Sequence, residues 1–272
     1  MVLLEVKNLS IHDTQSDEII VEDITFKLER GRSLGIVGES GSGKSMTVKG
    51  MLGLTAPWIT VSGAAYFEDA DMLRMKLKSI RNIRARHISM ILQDAMSAFD
   101  PLDTIGKQMQ ETLCENLKIS RTEAKQVSLR ELERVGIKEA AQVLKKYPHQ
   151  LSGGMLQRCM IAIAAALQPD IIIADEPTTA LDAITQSEVI ATFQRLQAQS
   201  GTTFIFISHD LGVIQQLTED MLVMKDGKQV EYGRTEDVFQ HPQNDYTKYL
   251  VDTRIKLTRA FEQSMRKDSY HA

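Results

Sequence analysis

The pattern of apolar and polar positions at the start of the chain predicts three strands. Residues 3–9, 19–28 and 33–37 have this pattern, and the second segment alternates apolar and polar side chains as a half-exposed antiparallel strand does. Arg30 and Gly31 are typical of the turn before the third strand. The start of the chain therefore predicts an antiparallel sheet that leads into a buried strand.

The middle of the chain, residues 93–150, has a mostly helical pattern instead. Ser120 and Glu123 have the spacing of a capping box, in which each residue satisfies a backbone N–H at the start of a helix. Apolar residues follow at helical spacing at Leu129, Leu132 and Val135. Gly136 is placed to end that helix.

After residue 150 the pattern alternates between helix and strand. Residues 171–174 and 203–207 are short apolar runs typical of buried parallel strands, and residues 184–199 between them are helical. An alternation of this kind favours a parallel sheet covered by helices. The predicted fold class is thus α/β, with a helical lobe inserted into the core.

A glycine-rich segment, GESGSGKS at residues 38–45, fits the pattern G-x-x-x-x-G-K-[ST] between a strand and a helix-like stretch at 46–54. Its three glycines allow successive N–H groups to point at phosphate oxygens. Lys44 would reach the β- and γ-phosphates, and Ser45 would offer its hydroxyl to Mg²⁺. The other members of this predicted phosphate site are Gly38, Glu39, Ser40, Gly41, Ser42, Gly43 and Met46. A purely structural glycine turn is the alternative.

Two adjacent carboxylates, Asp175 and Glu176, follow the apolar run at 171–174 and are stopped by Pro177. A buried strand delivers such residues to the carboxyl edge of the sheet, where ligands of α/β folds bind. Neighbouring strand residues point to opposite sides, so the two acids should act differently. Asp175 is the candidate Mg²⁺ ligand beside Ser45, and Glu176 is the candidate base for an attacking water. A surface turn with two solvated acids is the alternative.

Composition excludes several classes of protein. Hydrophobic residues make up 43% and charged residues 25%, as in ordinary globular proteins, and the net charge of −4 gives no basic surface for nucleic acid. Cys114 and Cys159 are isolated and suit a reducing compartment. No apolar run approaches the roughly 18 residues that span a bilayer, and the start lacks a signal-peptide pattern. We therefore expect membrane attachment only through a partner.

Taken in chain order, these motifs resemble those of ABC-type ATPases. Residues 38–45 resemble the Walker A motif, 171–176 the Walker B motif with its following glutamate, and LSGGM at 151–155 the signature motif. The remaining matches are Gln93 to the Q-loop glutamine, Asp182 to the D-loop aspartate and His209 to the switch histidine.

The resemblance implies a fold and a division of the chain. The fold is a P-loop NTPase (RecA-like) core with an antiparallel β subdomain and an inserted α-helical signature subdomain. An ATP-binding domain would span residues 1–240, its helical subdomain about 94–168, and a C-terminal extension would span 241–272.

The resemblance also implies a mechanism that needs two subunits. ATP, with Mg²⁺, would lie between the phosphate loop of one subunit and Ser152, Gly153 and Gly154 of the other. Gln93 would sense Mg²⁺ and the attacking water, and His209 would hold the γ-phosphate and the water while Glu176 polarises it. Asp182 would complete the nucleotide-binding set.

Two positions depart from the family pattern. Met155 stands where the commonest signature has glutamine. The early aromatic residue that stacks on adenine in many relatives has no clear match, and His12 is the nearest candidate, with a plain surface histidine as the alternative.

Longer phrases resemble those of the oligopeptide, dipeptide and nickel importer branch: IGKQMQETL, YPHQLSGGMLQR, ADEPTTALD and HPQNDYTKYL. SGGMLQR in particular resembles nickel and opine-metallophore import ATPases. The resemblance implies an importer for nickel, cobalt or zinc bound to a metallophore. Its partners would be a second ATPase subunit that is a paralogue, two transmembrane permeases and an extracytoplasmic solute-binding protein. The chain would then be peripheral, on the cytoplasmic side of the cell membrane.

Several points within this interpretation stay open. A dipeptide or oligopeptide importer ATPase, or a soluble ABC ATPase of iron–sulfur assembly type, are the alternatives. The six histidines are scattered without ligand spacing, so we do not expect the transported metal to bind this chain. Phe99, in the turn at 97–101, is a candidate anchor for docking. Basic and apolar residues interleave in the tail from Lys256 onwards, which suits a docking helix, a membrane-surface helix or a solvated end.

Overall fold

One ten-stranded sheet organises the chain in a computed structural model that describes the backbone of residues 1–268. Side chains are described over the same range except Ser200 and residues 257–268. The strands are β1 (Val2–Asp13), β2 (Glu18–Glu29), β3 (Ser33–Val37), β4 (Ile59–Phe67), β5 (Ala70–Asp71), β6 (Ile88–Ile91), β7 (Ile171–Asp175), β8 (Thr203–Ser208), β9 (Asp220–Lys225) and β10 (Lys228–Arg234). They lie in the order β5-β4-β1-β2-β10-β9-β3-β8-β7-β6.

The sheet has an antiparallel part and a parallel part. β1 pairs with β2 and with β4 in antiparallel fashion, and alternate side chains of β2 such as Ile24 and Phe26 are buried because one face covers a core. β3, β6, β7 and β8 pair in parallel, and every residue of β3, β7 and β8 is buried. Strands buried on both faces are typical of a parallel sheet covered by helices. The predicted α/β fold class is confirmed.

The helices occupy the connections between strands. They are α1 (Lys44–Met51), α2 (Leu77–Arg86), α3 (Ala95–Ala98), α4 (Ile105–Leu117), α5 (Arg121–Arg134), α6 (Ala140–Val143), α7 (Gly153–Ala166), α8 (Ala183–Ser200), α9 (Leu211–Leu217), α10 (Thr235–Gln240) and α11 (Asp245–Asp268), with 3₁₀ turns at Met72–Arg74 and Pro148–Gln150. α1 starts at Lys44, where Gly43 caps it in a left-handed conformation with φ 91°.

Helices α3 to α7 form the inserted helical lobe between β6 and β7. The predicted capping box of Ser120 and Glu123 is present at the start of α5, and Gly136 has φ 84° just beyond its end. α7 connects the lobe to the sheet because Leu156 and Ile161 are fully buried in the same core as β7 and β8. The lobe is therefore fixed to the sheet through α7, and residues around 152 lie at the start of that helix.

Helix α11 follows the sheet at the C-terminal end of the described chain. Its first turns pack on the core, since Thr247 is 0% and Val251 4% exposed. The interleaved basic and apolar side chains predicted for the tail lie beyond Lys256, outside the described side chains, and the domain boundary at residue 240 stays a prediction. Within residues 1–268, no helix combines the length and the apolar character needed to cross a bilayer.

Candidate nucleotide and catalytic site

A cavity of about 620 Å³ lies at the carboxyl ends of the central strands. Because β3, β7 and β8 are neighbours in the sheet, the segments that follow them meet at this edge. The lining residues are Ile20, Gly38, Glu39, Ser40, Gly41, Ser42, Gly43, Lys44, Ser45, Met46, Gln93, Glu176, His209 and Leu250. Segments that are far apart in sequence thus form one site.

The loop between β3 and α1 curves around the cavity with little spare room. A Cβ atom on Gly38 would lie 2.2 Å from the carbonyl oxygen of Met224, so no larger residue fits there. Gly43 has φ 91°, a left-handed conformation that glycine adopts without strain. These two positions let the backbone pass close to β9 and then begin α1 with its N–H groups directed at the loop.

Lys44 is buried inside this loop. Its Nζ donates hydrogen bonds to the carbonyl oxygens of Gly38 at 2.8 Å and Glu39 at 2.9 Å. Desolvation lowers the pKa of Lys44, and the nearby Glu176 and Asp175 carboxylates oppose that shift. The hydroxyl of Ser42 is also buried and has no hydrogen-bond partner among the described residues. A buried cation beside an unpaired hydroxyl fits an anionic ligand such as a phosphate chain.

Ser45 and Asp175 meet at the inner edge of the same cavity. The Ser45 hydroxyl donates to Asp175 Oδ1 at 2.8 Å. Burial raises the pKa of Asp175, while the hydrogen bond from Ser45 opposes that rise. A carboxylate and a hydroxyl placed side by side are oxygen ligands of the kind that Mg²⁺ uses together with phosphate oxygens.

Glu176 is held by two partners directly after β7. Its Oε2 lies 2.8 Å from His209 Nδ1 and accepts a hydrogen bond from the Thr179 hydroxyl at 2.9 Å. Glu176 has φ 49°, a left-handed conformation that is uncommon outside glycine and concentrates at functional positions. Gln93, two residues after the end of β6, is exposed and lines the same cavity. The two catalytic candidates Glu176 and His209 are therefore in direct contact.

Ser152, Gly153 and Gly154 lie elsewhere, at the start of α7. The Ser152 hydroxyl accepts from the Met155 N–H at 3.3 Å and caps the helix, while Ser152 and Gly153 are exposed to solvent. None of the three lines the cavity. The Met155 side chain packs against the core.

Gly154 is buried against the start of α8. A Cβ atom on Gly154 would lie 2.1 Å from Thr185 Cγ2. Asp182 caps α8 by accepting from the N–H groups of Ile184 and Thr185, and the hydrogen bond from the Thr185 hydroxyl lowers the pKa of Asp182. The two segments thus form a second, separate surface that faces solvent.

Some members of the site are not among the residues predicted from the sequence. Both Ile20 and Leu250 line the cavity; Ile20 belongs to no motif, and Leu250 belongs only to the C-terminal phrase HPQNDYTKYL, which gives it no role. Thr179 contacts Glu176, and a residue such as this becomes visible only when the turn after β7 is folded. His12, the adenine candidate, is not among the lining residues, and its Nε2 lies 3.0 Å from Asp17 Oδ1.

Comparison with known proteins agrees with this geometry. The family model described as "ABC transporter" matches residues 21–179. The ATP-binding protein of a metal-staphylopine import system from Staphylococcus aureus is 44% identical over 98% of this chain and 99% of its own length. A dipeptide transport ATP-binding protein from Lactococcus lactis is 43% identical over 92% of this chain and 73% of its own length.

Among solved structures, the ATP-binding cassette MJ0796, in a dimeric post-hydrolysis state bound to ADP and Pi, has a TM-score of 0.75 at 27% identity. The alignment covers 85% of this chain and 98% of that one. The chain belongs to the ABC transporter family and is one of its ATP-binding, ATP-hydrolysing subunits.

Proposed function

We propose that this ABC ATPase powers an importer for nickel, cobalt or zinc bound to a metallophore. The observation that carries the proposal is the similarity to the metal-staphylopine relative along 99% of that protein's length. The dipeptide relative is comparably similar at 43% identity, but the match covers 73% of its length.

The phosphate loop would bind the nucleotide. Its backbone N–H groups and the N-terminal end of α1 offer hydrogen-bond donors to the phosphate oxygens. Lys44 would exchange its two carbonyl partners for β- and γ-phosphate oxygens. Its buried ammonium group would then form charge-assisted hydrogen bonds with the phosphates. Ser45, Asp175 and Gln93 would hold Mg²⁺, whose chemistry is to neutralise charge on the phosphates and orient them.

Glu176 would act as general base for hydrolysis. Its carboxylate accepts a proton from a water in the cavity, and the Thr179 hydroxyl fixes its orientation. His209, bonded to Glu176 through Nδ1, has its Nε2 left to hold the water or the γ-phosphate. The contact between the two side chains supports a joint role, since moving one displaces the other.

A second subunit would complete the site. Ser152 and Gly153 are exposed at the N-terminus of α7 and lie outside the cavity of their own chain. A helix N-terminus with free N–H groups is suited to a phosphate, so another chain's nucleotide would be its ligand. Asp182 and Leu181, next to this surface, would lie in the same contact. The second subunit would be a paralogue or an identical chain.

Docking to the membrane partners would use the helical lobe. Phe99, the sequence candidate for an anchor, is only 6% exposed and belongs to the core, so that expectation is wrong. The exposed apolar side chains nearby are Leu92, Met96 and Leu102. Exposed apolar side chains support contact with a protein partner. The two permease subunits implied by the family resemblance would be that partner, which would place the chain at the cytoplasmic face of the cell membrane. An extracytoplasmic solute-binding protein would deliver the solute.

A dipeptide or oligopeptide importer is the second candidate, favoured by the 43% identity to the dipeptide transport protein. A soluble ATPase of iron–sulfur assembly type is the third, and it would lack permease partners.

The experiment compares cells that carry the parent chain, Lys44→Ala or Lys78→Ala, the last being an exposed lysine on α2 that serves as control. Cellular nickel, cobalt and zinc are measured with and without added metallophore, and growth of an amino-acid auxotroph on peptides is measured in parallel. Metal uptake lost only in Lys44→Ala is the expected result. Loss of growth on peptides alone would favour the second candidate, and no change in either would remove the importer function.

A further inference from the structure

One face of α11 runs along the edge of the ATP site. Tyr246, Leu250 and Arg254 are spaced four residues apart, so they lie on the same side of the helix. Each of the three contacts or lines a different part of the site.

Tyr246 contacts the phosphate loop. Its hydroxyl oxygen accepts a hydrogen bond from the backbone N–H of Glu39 at 3.1 Å. The Nζ of Lys225, from the end of β9, lies 5.0 Å from the centre of the Tyr246 ring. The ring is therefore held in place, and its hydroxyl fixes the first peptide after Gly38, where the loop begins to curve.

Leu250, one turn further along α11, lines the nucleotide cavity as Ile20 does. These are the two branched aliphatic side chains in a lining that is otherwise mostly glycine and polar. Apolar walls of this kind exclude water and pack against the less polar parts of a ligand.

Arg254, a further turn along, lies beside the segment that carries His209. Its Nη1 is 3.8 Å from Oδ1 of Asp210, the residue after His209. Asp210 in turn caps α9 by accepting from the Gly212 N–H at 2.7 Å. A Cβ atom on Gly212 would lie 2.1 Å from Arg254 Nη2, so the guanidinium rests directly on the first turn of α9.

The start of α11 is itself fixed to the sheet. The two carboxylate oxygens of Glu231 in β10 accept from the N–H groups of Gln243 at 2.9 Å and Asn244 at 3.1 Å. The Asn244 side chain accepts from the Tyr246 N–H at 2.9 Å, which is an N-cap arrangement. Together with the buried Thr247, these contacts fix the position of the face formed by Tyr246, Leu250 and Arg254.

We propose that this face of α11 positions the ATP site, with Tyr246 setting the phosphate loop for nucleotide binding and Arg254 setting the His209 segment for hydrolysis. The inference rests on the ATP-binding role of the site and is independent of the transported solute. Tyr246 and Arg254 are positioning residues, since they act through Glu39 and Asp210.

The test uses the purified chain with Tyr246→Phe, Leu250→Ala and Arg254→Gln, and with Tyr249→Phe on the exposed side of α11 as matched control. ATP affinity is measured by equilibrium binding, and KM and kcat by phosphate release. Tyr246→Phe should weaken ATP binding about two- to tenfold with kcat near the parent value, because one hydrogen bond that orders the loop is lost. Leu250→Ala should weaken binding similarly.

Arg254→Gln should instead lower kcat about two- to fivefold with little change in affinity, and Arg254→Lys should restore most of it. If α11 only packed on the core, its substitutions would not change ATP affinity at Tyr246 and kcat at Arg254 independently of each other. Affinity and kcat within twofold of the parent in all three variants, with a change in thermal stability alone, would overturn the inference. A parent chain that binds no ATP would overturn the nucleotide site and this inference together.

Discussion

Two glycine-containing segments each lead into a helix, yet they are built in opposite ways. The phosphate loop before α1 surrounds a buried lysine and faces two carboxylates, Asp175 and Glu176. The segment before α7 is exposed at Ser152 and Gly153, and its helix has no acidic or basic residue in the first turn. Similar backbone donors thus lie around a buried, charged cavity in one case and on a solvent-exposed surface in the other.

Local motif chemistry therefore does not set the affinity for nucleotide by itself. A helix N-terminus contributes about 0.3–1 kcal/mol for an anion near the surface, whereas a buried charge-assisted hydrogen bond contributes about 1.5–3 kcal/mol. The phosphate loop should therefore bind nucleotide on an isolated chain, and the α7 segment should only strengthen binding of a nucleotide already held by another chain.

Replacing Glu176 should have the strongest consequence, because it stops hydrolysis and leaves both binding segments intact. Glu176→Gln removes the proton acceptor but keeps an oxygen for His209 and Thr179, so hydrolysis should fall about 10²- to 10⁴-fold while ATP binding is retained. Phosphate release and equilibrium binding measured on the same preparation test this. Hydrolysis at the parental rate would exclude Glu176 as the base.

The next effect separates the two segments directly. Lys44→Ala should weaken ATP binding by an isolated chain about 10- to 100-fold, whereas Gly153→Glu, which puts a like charge on the α7 surface, should leave that binding unchanged and reduce hydrolysis. An equimolar mixture of the two variants should regain activity, because a mixed pair contains one intact loop facing one intact α7 segment. A mixture as inactive as its components would contradict a site shared between two identical chains.

A smaller effect is expected from changing the contact between α7 and the start of α8. Gly154→Ala should lower the free energy of unfolding by about 1–3 kcal/mol, because its Cβ would overlap Thr185 Cγ2. Gly153→Ala is the matched control, with its nearest neighbour at 3.7 Å, and should not destabilise the chain. Thr185→Ser, which removes the overlapping methyl group but keeps the hydroxyl, should rescue Gly154→Ala in denaturant unfolding. Without that rescue, the contact would not explain the loss.

A small effect is expected on the free energy of unfolding, because burying the Asp175 carboxylate in the cavity destabilises the folded chain. Asp175→Asn should raise the free energy of unfolding of the nucleotide-free chain by about 1 kcal/mol, a shift in Tm of roughly 2–4 °C. Burial raises the pKa of Asp175, so the carboxylate is costly above that pKa and the cost disappears as the group is protonated. The advantage of Asn over Asp should thus shrink as pH falls from 8 towards the carboxyl pKa. A constant or growing advantage at lower pH would contradict this cause.

The sequence predicts the parts of the molecule that depend on neighbouring residues. The strand, loop and helix around Lys44, the buried run ending at Asp175 and the capping box of Ser120 each depend on local spacing, and the structure contains all three. The helical lobe also follows from its periodicity.

The remaining features depend on contacts between distant segments. Tyr246 is 207 positions from Glu39, and no pattern within α11 indicates which loop it will meet. Phe99 is a large aromatic residue of the kind that anchors protein contacts, but the packing of α3 against α7 buries it. Periodicity reports which side of an element is apolar and leaves open what covers that side.

The contact between Gly154 and Thr185 has a mechanical consequence. With no space for even a methyl group between them, α7 cannot slide past the start of α8. Ser152 and Asp182, which cap these two helices, must therefore travel together whenever the chain approaches another molecule. A shift of the helical lobe would therefore move the start of α8 with it. The residues beside Glu176 would move as well, because they lead into that helix.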